Sequence, residues 1–251
     1  MFQKQSMNIV LLADLIVGSE VTKYLVKNYK SDIYTVCTTE KNEIYKFAKK
    51  SGLRCLVFKN ENDLIQKIDF AKIDLGILAW WPKILSENLI KKTKYGFINA
   101  HNSLLPNARG KHPYFWTIVE EKKYGVTWHR VNNKVDEGDI IAQEEIFYNW
   151  EDTAETLYKK SIKQVIKLFK KEYPSLRKGN IKSRPQKGKG SFHYGKEMDV
   201  YGRIFLNKKY TGKDILNLIR GRTTSSKKIK SAFFEDNGEL YRVKIFIKKE
   251  M

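Results

Sequence analysis

Short apolar runs alternate with segments of helical period from Met7 to Ile146 of this 251-residue chain. Runs such as Met7–Ala13 and Ile73–Trp80 are apolar at nearly every position, which is typical of parallel strands covered on both faces. Segments such as Ser19–Lys30 lie between them and repeat apolar residues every three or four positions. This order predicts an α/β fold with a mostly parallel, Rossmann-like sheet in which Ile73–Trp80 is central.

The last third of the chain differs in composition from the rest. A long amphipathic helix is predicted to end near Glu172, and the stretch after it is rich in Gly, Pro and Lys. Further on, Thr211–Arg220 has helical period, and the apolar runs Ser231–Phe234 and Leu240–Ile247 flank Asn237-Gly238, a strong hairpin signal. We therefore predict a main domain over residues 1–175, a linker over 176–190, and a small helix-plus-hairpin module over 191–251.

The net charge of +20 is concentrated in the same last third. Residues 158–251 contain 26 Lys and Arg against eight Asp and Glu, whereas residues 1–157 are nearly balanced. Only nine of the 48 basic residues are Arg, the side chain better suited to bidentate recognition of phosphates and bases. A solvated basic face is therefore the favoured interpretation, followed by a site for a small anionic molecule and then by a nucleic-acid surface.

Cysteine usage and hydropathy indicate the compartment. Cys37 and Cys55 lie in apolar, strand-like surroundings without CxxC spacing, which favours buried free thiols in a reducing environment. No apolar run approaches the ~20 residues that a membrane-spanning helix requires. The sequence thus predicts a cytoplasmic protein without a membrane partner.

The candidate chemistry begins in the predicted strand Tyr95–His101. Asn99 and His101 are two positions apart, so in a strand they project from the same face. A neutral imidazole can accept a proton, and an amide N–H can stabilise a developing oxyanion. A lone His at a strand end is more often structural, but the pair favours a catalytic site.

Asp136 lies in the loop Asn132–Asp139, between the last two predicted strands of the main domain. The acidic sequence of this loop also suits an ordinary turn. However, a carboxylate that contacts a His orients the ring and raises its basicity. Because the loop joins strands next to Tyr95–His101, we expect Asp136 to reach the imidazole of His101.

Two flanking segments could bind substrates. The residues Trp80-Trp81-Pro82-Lys83-Ile84 end the central strand, and two adjacent Trp followed by Pro suit the wall of a site for a flat ring. The loop Pro106–Pro113 contains Arg109, Lys111 and His112, which could hold an anionic substrate. An ordinary connecting loop is an equally good interpretation of Pro106–Pro113.

Several common sites are not supported by the sequence. The first strand is followed by Asp14-Leu-Ile-Val-Gly18, without a GxGxxG or P-loop pattern, so a dinucleotide site in the usual place is not indicated. No Ser has the setting of a nucleophile elbow. The four His residues form no sequence cluster with Cys or carboxylates, and we predict no metal site.

Together these motifs resemble the folate-dependent formyltransferase family. The family pattern is present as Asn99-x-His101, Ser103-Leu-Leu-Pro106 with Gly110, Gly125-Val-Thr-x-His129 and Asp136-x-Gly138-x-Ile140. Four further segments narrow the resemblance to nucleotide-sugar N-formyltransferases: Trp80–Lys83, Arg109–Pro113, Gly190–Lys196 and Tyr210–Arg222. These enzymes formylate an amino group on a deoxysugar carried by a nucleoside diphosphate.

The resemblance implies a formyltransferase fold, N10-formyltetrahydrofolate as the formyl donor and no metal. It implies that Asn99 stabilises the oxyanion, that His101 takes the proton of the attacking amine, and that Asp136 polarises His101. The folate would contact Trp80, Trp81, Pro82, Lys83, Ile84, Val135 and Asp139. The nucleotide-linked amino sugar would contact Ser103, Arg109, Lys111, His112, His193, Tyr194 and Lys196.

The favoured acceptor is dTDP-4-amino-4,6-dideoxyglucose, for surface polysaccharide synthesis, and the C-terminal hairpin would join two copies into a homodimer. The main alternative is methionyl-tRNA formyltransferase. Against it, the region after Gly190 is only about 60 residues long, and the long basic loop of those enzymes after the second strand is missing. A glycinamide-ribonucleotide formyltransferase and a non-enzymatic folate- or nucleic-acid-binding module are further alternatives.

Overall fold

The sheet of this protein is confirmed as mostly parallel by a computed structural model, which describes residues 7–225 and 230–250. Its strands are β1 (Ile9–Ala13), β2 (Ile33–Thr38), β3 (Cys55–Val57), β4 (Leu75–Ala79), β5 (Phe97–His101), β6 (Arg109–Gly110), β7 (Tyr124–Arg130), β8 (Ile140–Ile146), β9 (Phe192–His193), β10 (Ala232–Asp236) and β11 (Glu239–Val243). Seven strands form one sheet in the order β3-β2-β1-β4-β5-β7-β8, so the predicted central strand, β4, is central. Strands β1 to β5 pair in parallel, and β7 pairs antiparallel with β5.

Helices connect most of these strands. They are α1 (Leu15–Tyr29), α2 (Glu43–Lys50), α3 (Glu61–Lys67), α4 (Glu87–Ile90), α5 (Pro113–Val119), α6 (Ala154–Leu176), α7 (Glu197–Val200) and α8 (Gly212–Arg222), with 3₁₀ turns at Lys30–Asp32 and Phe70–Lys72. Side chains of Asp14, Asn42, Asn60, Ser86 and Thr211 accept hydrogen bonds from backbone N–H groups in the first turns of five of them, which explains where they begin. Among the described residues, no helix is both long and apolar enough to cross a membrane.

The long helix α6 continues past the predicted end near Glu172 and contains Pro174. A proline within a helix leaves the carbonyl of the residue four positions earlier without its N–H donor. Here that carbonyl belongs to Lys170, and the hydroxyl of Tyr24 on α1 donates to it at 3.4 Å. This contact between two helices gives the carbonyl of Lys170 another donor, and the helix extends to Leu176.

A buried ion pair attaches the end of α6 to the start of β2. The carboxylate of Asp32 is fully buried and accepts two hydrogen bonds from the guanidinium of Arg177, each at 2.8 Å. The hydroxyl of Tyr173 donates to the same carboxylate at 2.9 Å. Such a bidentate arrangement is the geometry in which a buried carboxylate is best compensated.

The chain divides into two compact units, each made of three stretches. The first unit combines residues up to 101 with 127–143 and 164–186, and the second combines 102–126, 144–163 and 187–251. Within the stretch predicted as a linker, Arg184 pairs with Ile140 of β8 through two backbone hydrogen bonds of 2.8 and 2.9 Å. The sequence boundaries near residues 175 and 190 stay a prediction.

The C-terminal hairpin is confirmed. Strands β10 and β11 pair antiparallel, and Asp236 lies opposite Glu239. The two residues between them, Asn237 and Gly238, have φ angles of 47° and 80°, which are the positive values that a tight hairpin turn requires. The second strand ends at Val243 and not at Ile247 as predicted.

Candidate active site

A cluster of polar side chains lies on one face of the sheet where β5 ends. Asn99 and His101 occupy alternate positions of β5 and therefore project to the same face. His129 of β7 is the direct cross-strand neighbour of Asn99, so its side chain projects to that face as well. His101 and His129 are almost completely buried, with 9% and 3% of their side chains exposed.

Asp136 connects these three residues. Its side chain is 10% exposed and places Oδ2 at 3.4 Å from Nδ1 of His101 and Oδ1 at 3.4 Å from Nε2 of His129. The amide nitrogen of Asn99 lies 3.5 Å from the same Oδ1. The backbone of Asp136 has φ = 55°, a left-handed conformation that is rare for residues other than glycine. The predicted contact between Asp136 and His101 is present.

The hydrogen bonds assign protons within the cluster. Nδ1 of His129 lies 2.8 Å from the backbone carbonyl of Arg130, and since a carbonyl only accepts, this nitrogen carries a proton. In the neutral ring, Nε2 then accepts from the amide of Asn99 at 3.2 Å. His101 turns Nδ1 to the carboxylate of Asp136, so the basic lone pair of its neutral ring is on Nε2.

His129 is a site residue to which the sequence analysis gave no role. It was part of the motif Gly125-Val-Thr-x-His129, and its position at the end of an apolar strand was the available signal. Its contribution depends on the pairing of β5 with β7, because only that register brings it opposite Asn99. The amide of Asn99 is thereby fixed between His129 and Asp136.

This arrangement combines an amide donor, a basic imidazole and an orienting carboxylate. Together these groups can accept a proton from an attacking amine and stabilise an oxyanion, which suits direct acyl transfer without a covalent enzyme intermediate. Among the residues that the structure describes, no group of three or more His, Cys, Asp or Glu side chains could hold a metal ion.

The five residues that follow β4, Trp80 to Ile84, differ in their burial. Trp81 is 8% exposed, belongs to the main hydrophobic core and packs edge-on against Phe58 with ring centroids 5.3 Å apart. Trp80 is half-buried and has φ = 54°, whereas Pro82, Lys83 and Ile84 are exposed. Trp81 is therefore a core residue, whereas the other four residues are accessible to a ligand.

Val135 and Asp139 flank the same loop as Asp136. Val135 is exposed, and Asp139 is half-buried with its backbone carbonyl accepting from the N–H of Arg130 at 2.8 Å. Ile84 is 77% exposed, so both Ile84 and Val135 present apolar surface to solvent. The contacts of these residues with a folate stay a prediction.

In the second unit, the structure joins two segments that the sequence analysis selected separately. Arg109–Gly110 forms β6 and pairs in parallel with Phe192–His193, which forms β9. Gly110 has φ = 85°, and a Cβ there would lie 2.3 Å from the carbonyl oxygen of His193. Only a glycine fits this close approach, which explains why the Arg-Gly sequence occurs at that point.

His193 is held by its neighbours on three sides. Its ring stacks on Trp116 at a centroid distance of 3.7 Å, and its two nitrogens lie 2.6 Å from Glu120 and 3.2 Å from Glu197. The backbone N–H of Tyr194, followed by the contact with His193, keeps the pKa of Glu197 below its usual value. The ring is thus fixed by two carboxylates, and its role toward a substrate stays a prediction.

The remaining predicted acceptor contacts also lie in the second unit. Ser103 is buried and its hydroxyl donates to the carbonyl of Asn107 at 2.6 Å. His112 precedes α5 with φ = 59°, and its Nδ1 lies 3.4 Å from the hydroxyl of Tyr114. Three further predicted residues are exposed: Lys111, Tyr194 and Lys196.

The family of the chain follows from comparison with known proteins. The family model described as formyl transferase matches residues 15–171, which is more than half of the chain. The chain belongs to the formyl transferase family. A second model, described as the N-formyltransferase dimerization C-terminal domain, matches residues 197–249.

Two curated relatives are each 35% identical to this chain over the matched residues. They are the bifunctional polymyxin resistance protein ArnA of Wigglesworthia glossinidia brevipalpis, over 168 residues, and the methionyl-tRNA formyltransferase of Thermodesulfovibrio yellowstonii, over 182 residues. The matches cover 66% and 71% of this chain but only 25% and 58% of the relatives. The chain thus spans less than two thirds of the length of either relative.

Solved structures share the fold over almost the whole chain. A 4-N formyltransferase from Francisella tularensis superimposes with a TM-score of 0.81 at 23% identity, covering 98% of this chain and 100% of that one. An N-formyltransferase from Helicobacter canadensis, in complex with folinic acid and dTDP-3-aminofucose, gives a TM-score of 0.70 at 20% identity, covering 85% and 80%. At sequence identities of 20–23%, this structural likeness is evidence for a shared fold alone.

Proposed function

We propose that this protein transfers a formyl group from N10-formyltetrahydrofolate to the amino group of a nucleotide-linked amino sugar. The observation that carries the proposal is the Asn99–His101–Asp136 cluster, at the carboxyl end of β5 in a chain of the formyl transferase family. The acceptor class is supported by the likeness of the fold to an N-formyltransferase that was solved in complex with dTDP-3-aminofucose.

In this proposal, Asn99 stabilises the negative charge that develops on the formyl oxygen. Its NH₂ group has two hydrogens: one is directed to Nε2 of His129 at 3.2 Å, and the other makes a long contact of 3.5 Å with Oδ1 of Asp136, which it exchanges for the formyl oxygen in the proposed reaction. A donor fixed before the reaction requires no reorganisation when charge develops, which is why such donors accelerate acyl transfer. His129 therefore acts as a positioning residue for the amide.

His101 serves as the proton carrier. Its Nδ1 faces Asp136, so Nε2 accepts the proton that the attacking amine loses. Asp136 stabilises the resulting imidazolium, and the same proton can then pass to the leaving nitrogen. Bound N10-formyltetrahydrofolate supplies the electrophilic formyl carbon and a nitrogen that can leave. In the balanced step a bond forms between the acceptor nitrogen and the formyl carbon, the bond from that carbon to N10 of the folate breaks, and the proton lost by the acceptor nitrogen ends on N10.

The donor is proposed to lie against Trp80, Pro82, Lys83 and Ile84 and the loop residues Val135 and Asp139. The exposed aliphatic side chains of Ile84 and Val135 fit the flat, partly apolar ring of a folate. The nucleotide part of the acceptor is proposed to contact the second-unit residues Arg109, Lys111, His112, His193, Tyr194 and Lys196. We further propose a homodimer, supported by the match to a dimerization domain.

The decisive experiment is mass spectrometry of candidate acceptors incubated with the enzyme and N10-formyltetrahydrofolate. The panel contains nucleotide-linked 3-amino and 4-amino dideoxysugars on thymidine and uridine diphosphate, with dTDP-4-amino-4,6-dideoxyglucose as the favoured member, and methionyl-tRNA as the comparison. We expect one formyl group on one sugar class, and none with the Asn99→Ala variant. Formylation of methionyl-tRNA alone would instead assign the chain to tRNA modification.

A further inference from the structure

The catalytic loop is supported by a segment that follows the long helix. Residues 181–186 belong to the first unit, and Arg184 pairs with Ile140, directly after the loop Asn132–Asp139. Ile181 is buried, and its carbonyl accepts from the guanidinium of Arg130 at 2.8 Å. The segment therefore lies along the edge of β8 next to the base of the loop.

Gln186 extends from this segment to the loop that carries Asp136. Its Nε2 donates to the carbonyl of Asp136 at 2.7 Å and to that of Gly138 at 2.8 Å. Because both partners are carbonyl oxygens, the amide can only present its NH₂ group to them. One side chain thus satisfies two backbone acceptors within the loop, on either side of Glu137.

The loop conformation that these bonds hold is uncommon. Asp136 has φ = 55°, a left-handed conformation that glycine, Asn and Asp adopt as single residues and that most other residues avoid. Gly138 lies so close to the chain that a Cβ there would be 1.8 Å from the carbonyl oxygen of Arg130. The left-handed turn thus lies between a tight backbone contact on one side and the Gln186 amide on the other.

The geometry points to Gln186 as a positioning residue that fixes the left-handed turn at Asp136 and so aims its carboxylate at His101 and His129. This role rests on the proposed function of Asp136. Without the two hydrogen bonds the backbone can relax to an ordinary turn, and the Oδ atoms leave their 3.4 Å contacts with the two rings. A displacement of about 1 Å at a reacting group can lower the rate by about 100-fold.

Two variants test the role. Gln186→Met keeps the length of the side chain and removes both donors, whereas Gln186→Glu presents a carboxylate to the two carbonyls. We expect the Met variant to lower kcat by about 10- to 100-fold with little change in either KM. The Glu variant should regain part of kcat relative to Met as the pH falls, because only a protonated carboxyl group can donate to a carbonyl.

The matched control is Arg184→Ala, two residues away in the same segment. The Arg184 side chain contacts Gln143 and not the loop carbonyls, and its backbone bridge to Ile140 does not depend on that side chain. Hydrogen exchange provides a readout independent of activity. In the Gln186 variants, amides of residues 132–139 should exchange about tenfold faster or more, with the rest of the first unit and the melting temperature nearly unchanged.

Normal kcat with unchanged exchange of residues 132–139 would overturn the inference. So would a loss of kcat accompanied by faster exchange throughout the first unit, or an equal loss in Arg184→Ala, since either would show a general structural role. If the wild-type enzyme formylates no acceptor, the proposed function fails, but the exchange of residues 132–139 still decides whether Gln186 holds the loop.

Discussion

Replacing Asp136 by Asn tests how much the carboxylate contributes to catalysis. The change keeps the shape of the side chain and removes one negative charge from a site where Asp136 is 10% exposed. At 3.4 Å and an effective dielectric constant of about 20, a carboxylate and an imidazolium attract each other by about 5 kcal/mol. In the proposed mechanism His101 acquires its proton as the amine attacks, so most of that stabilisation would belong to the transition state.

We therefore expect Asp136→Asn to lower kcat by about three orders of magnitude, because 1.36 kcal/mol corresponds to a factor of ten in rate. Steady-state formylation of the best acceptor measures kcat and both KM values, and thermal unfolding confirms that the variant folds. Glu137→Gln is the matched control: it removes the same charge one residue away, from a side chain that is 34% exposed and pairs with Lys134. A kcat for Asp136→Asn within about tenfold of the wild type would refute the reasoning, as would an equal loss for Glu137→Gln.

Three further predictions concern other parts of the molecule. Asp32→Ala leaves the guanidinium of Arg177 uncompensated, so the free energy of unfolding measured in urea should fall by about 3–5 kcal/mol; a loss under about 1 kcal/mol would contradict this. Gly110→Ala places a Cβ 2.3 Å from a carbonyl oxygen and should lower the melting temperature, whereas Gly195→Ala, with its nearest neighbour at 3.7 Å, should not; equal melting of the two variants would argue against the close approach. Burial raises the pKa of Cys37 to about 12, so at pH 8 this thiol should react with a disulfide reagent only after denaturant is added. Peptide mapping locates the modified residue, and fast modification of Cys37 in the native protein would contradict its burial.

The sequence was sufficient for features that depend on local periodicity. The alternation of apolar runs predicted the parallel sheet and the central strand β4. The two-residue spacing of Asn99 and His101 predicted their common face, because side chains alternate along any strand. The turn residues Asn237-Gly238 predicted the C-terminal hairpin for the same kind of local reason.

Other features depended on contacts between distant parts of the chain and were missed. The position of His129 beside Asn99 follows from the pairing of β5 with β7. The core position of Trp81 involves packing against Phe58, which is distant along the chain. The helix α6 continues through Pro174, and there the hydroxyl of Tyr24 on another helix donates to the carbonyl of Lys170. Local periodicity alone predicts none of these contacts.

The short ribbon of β6 and β9 has a consequence for the order in which the protein folds. Arg109 and Phe192 pair across a stretch of chain that contains β7, β8 and the whole of α6. Closing so long a loop is entropically unfavourable until the intervening elements are formed. On the ribosome, every residue of the Asn99–His101–Asp136 cluster emerges before Phe192 does. The β6–β9 ribbon therefore forms only after the chain has been made as far as His193, whereas the residues of the cluster are available to fold earlier.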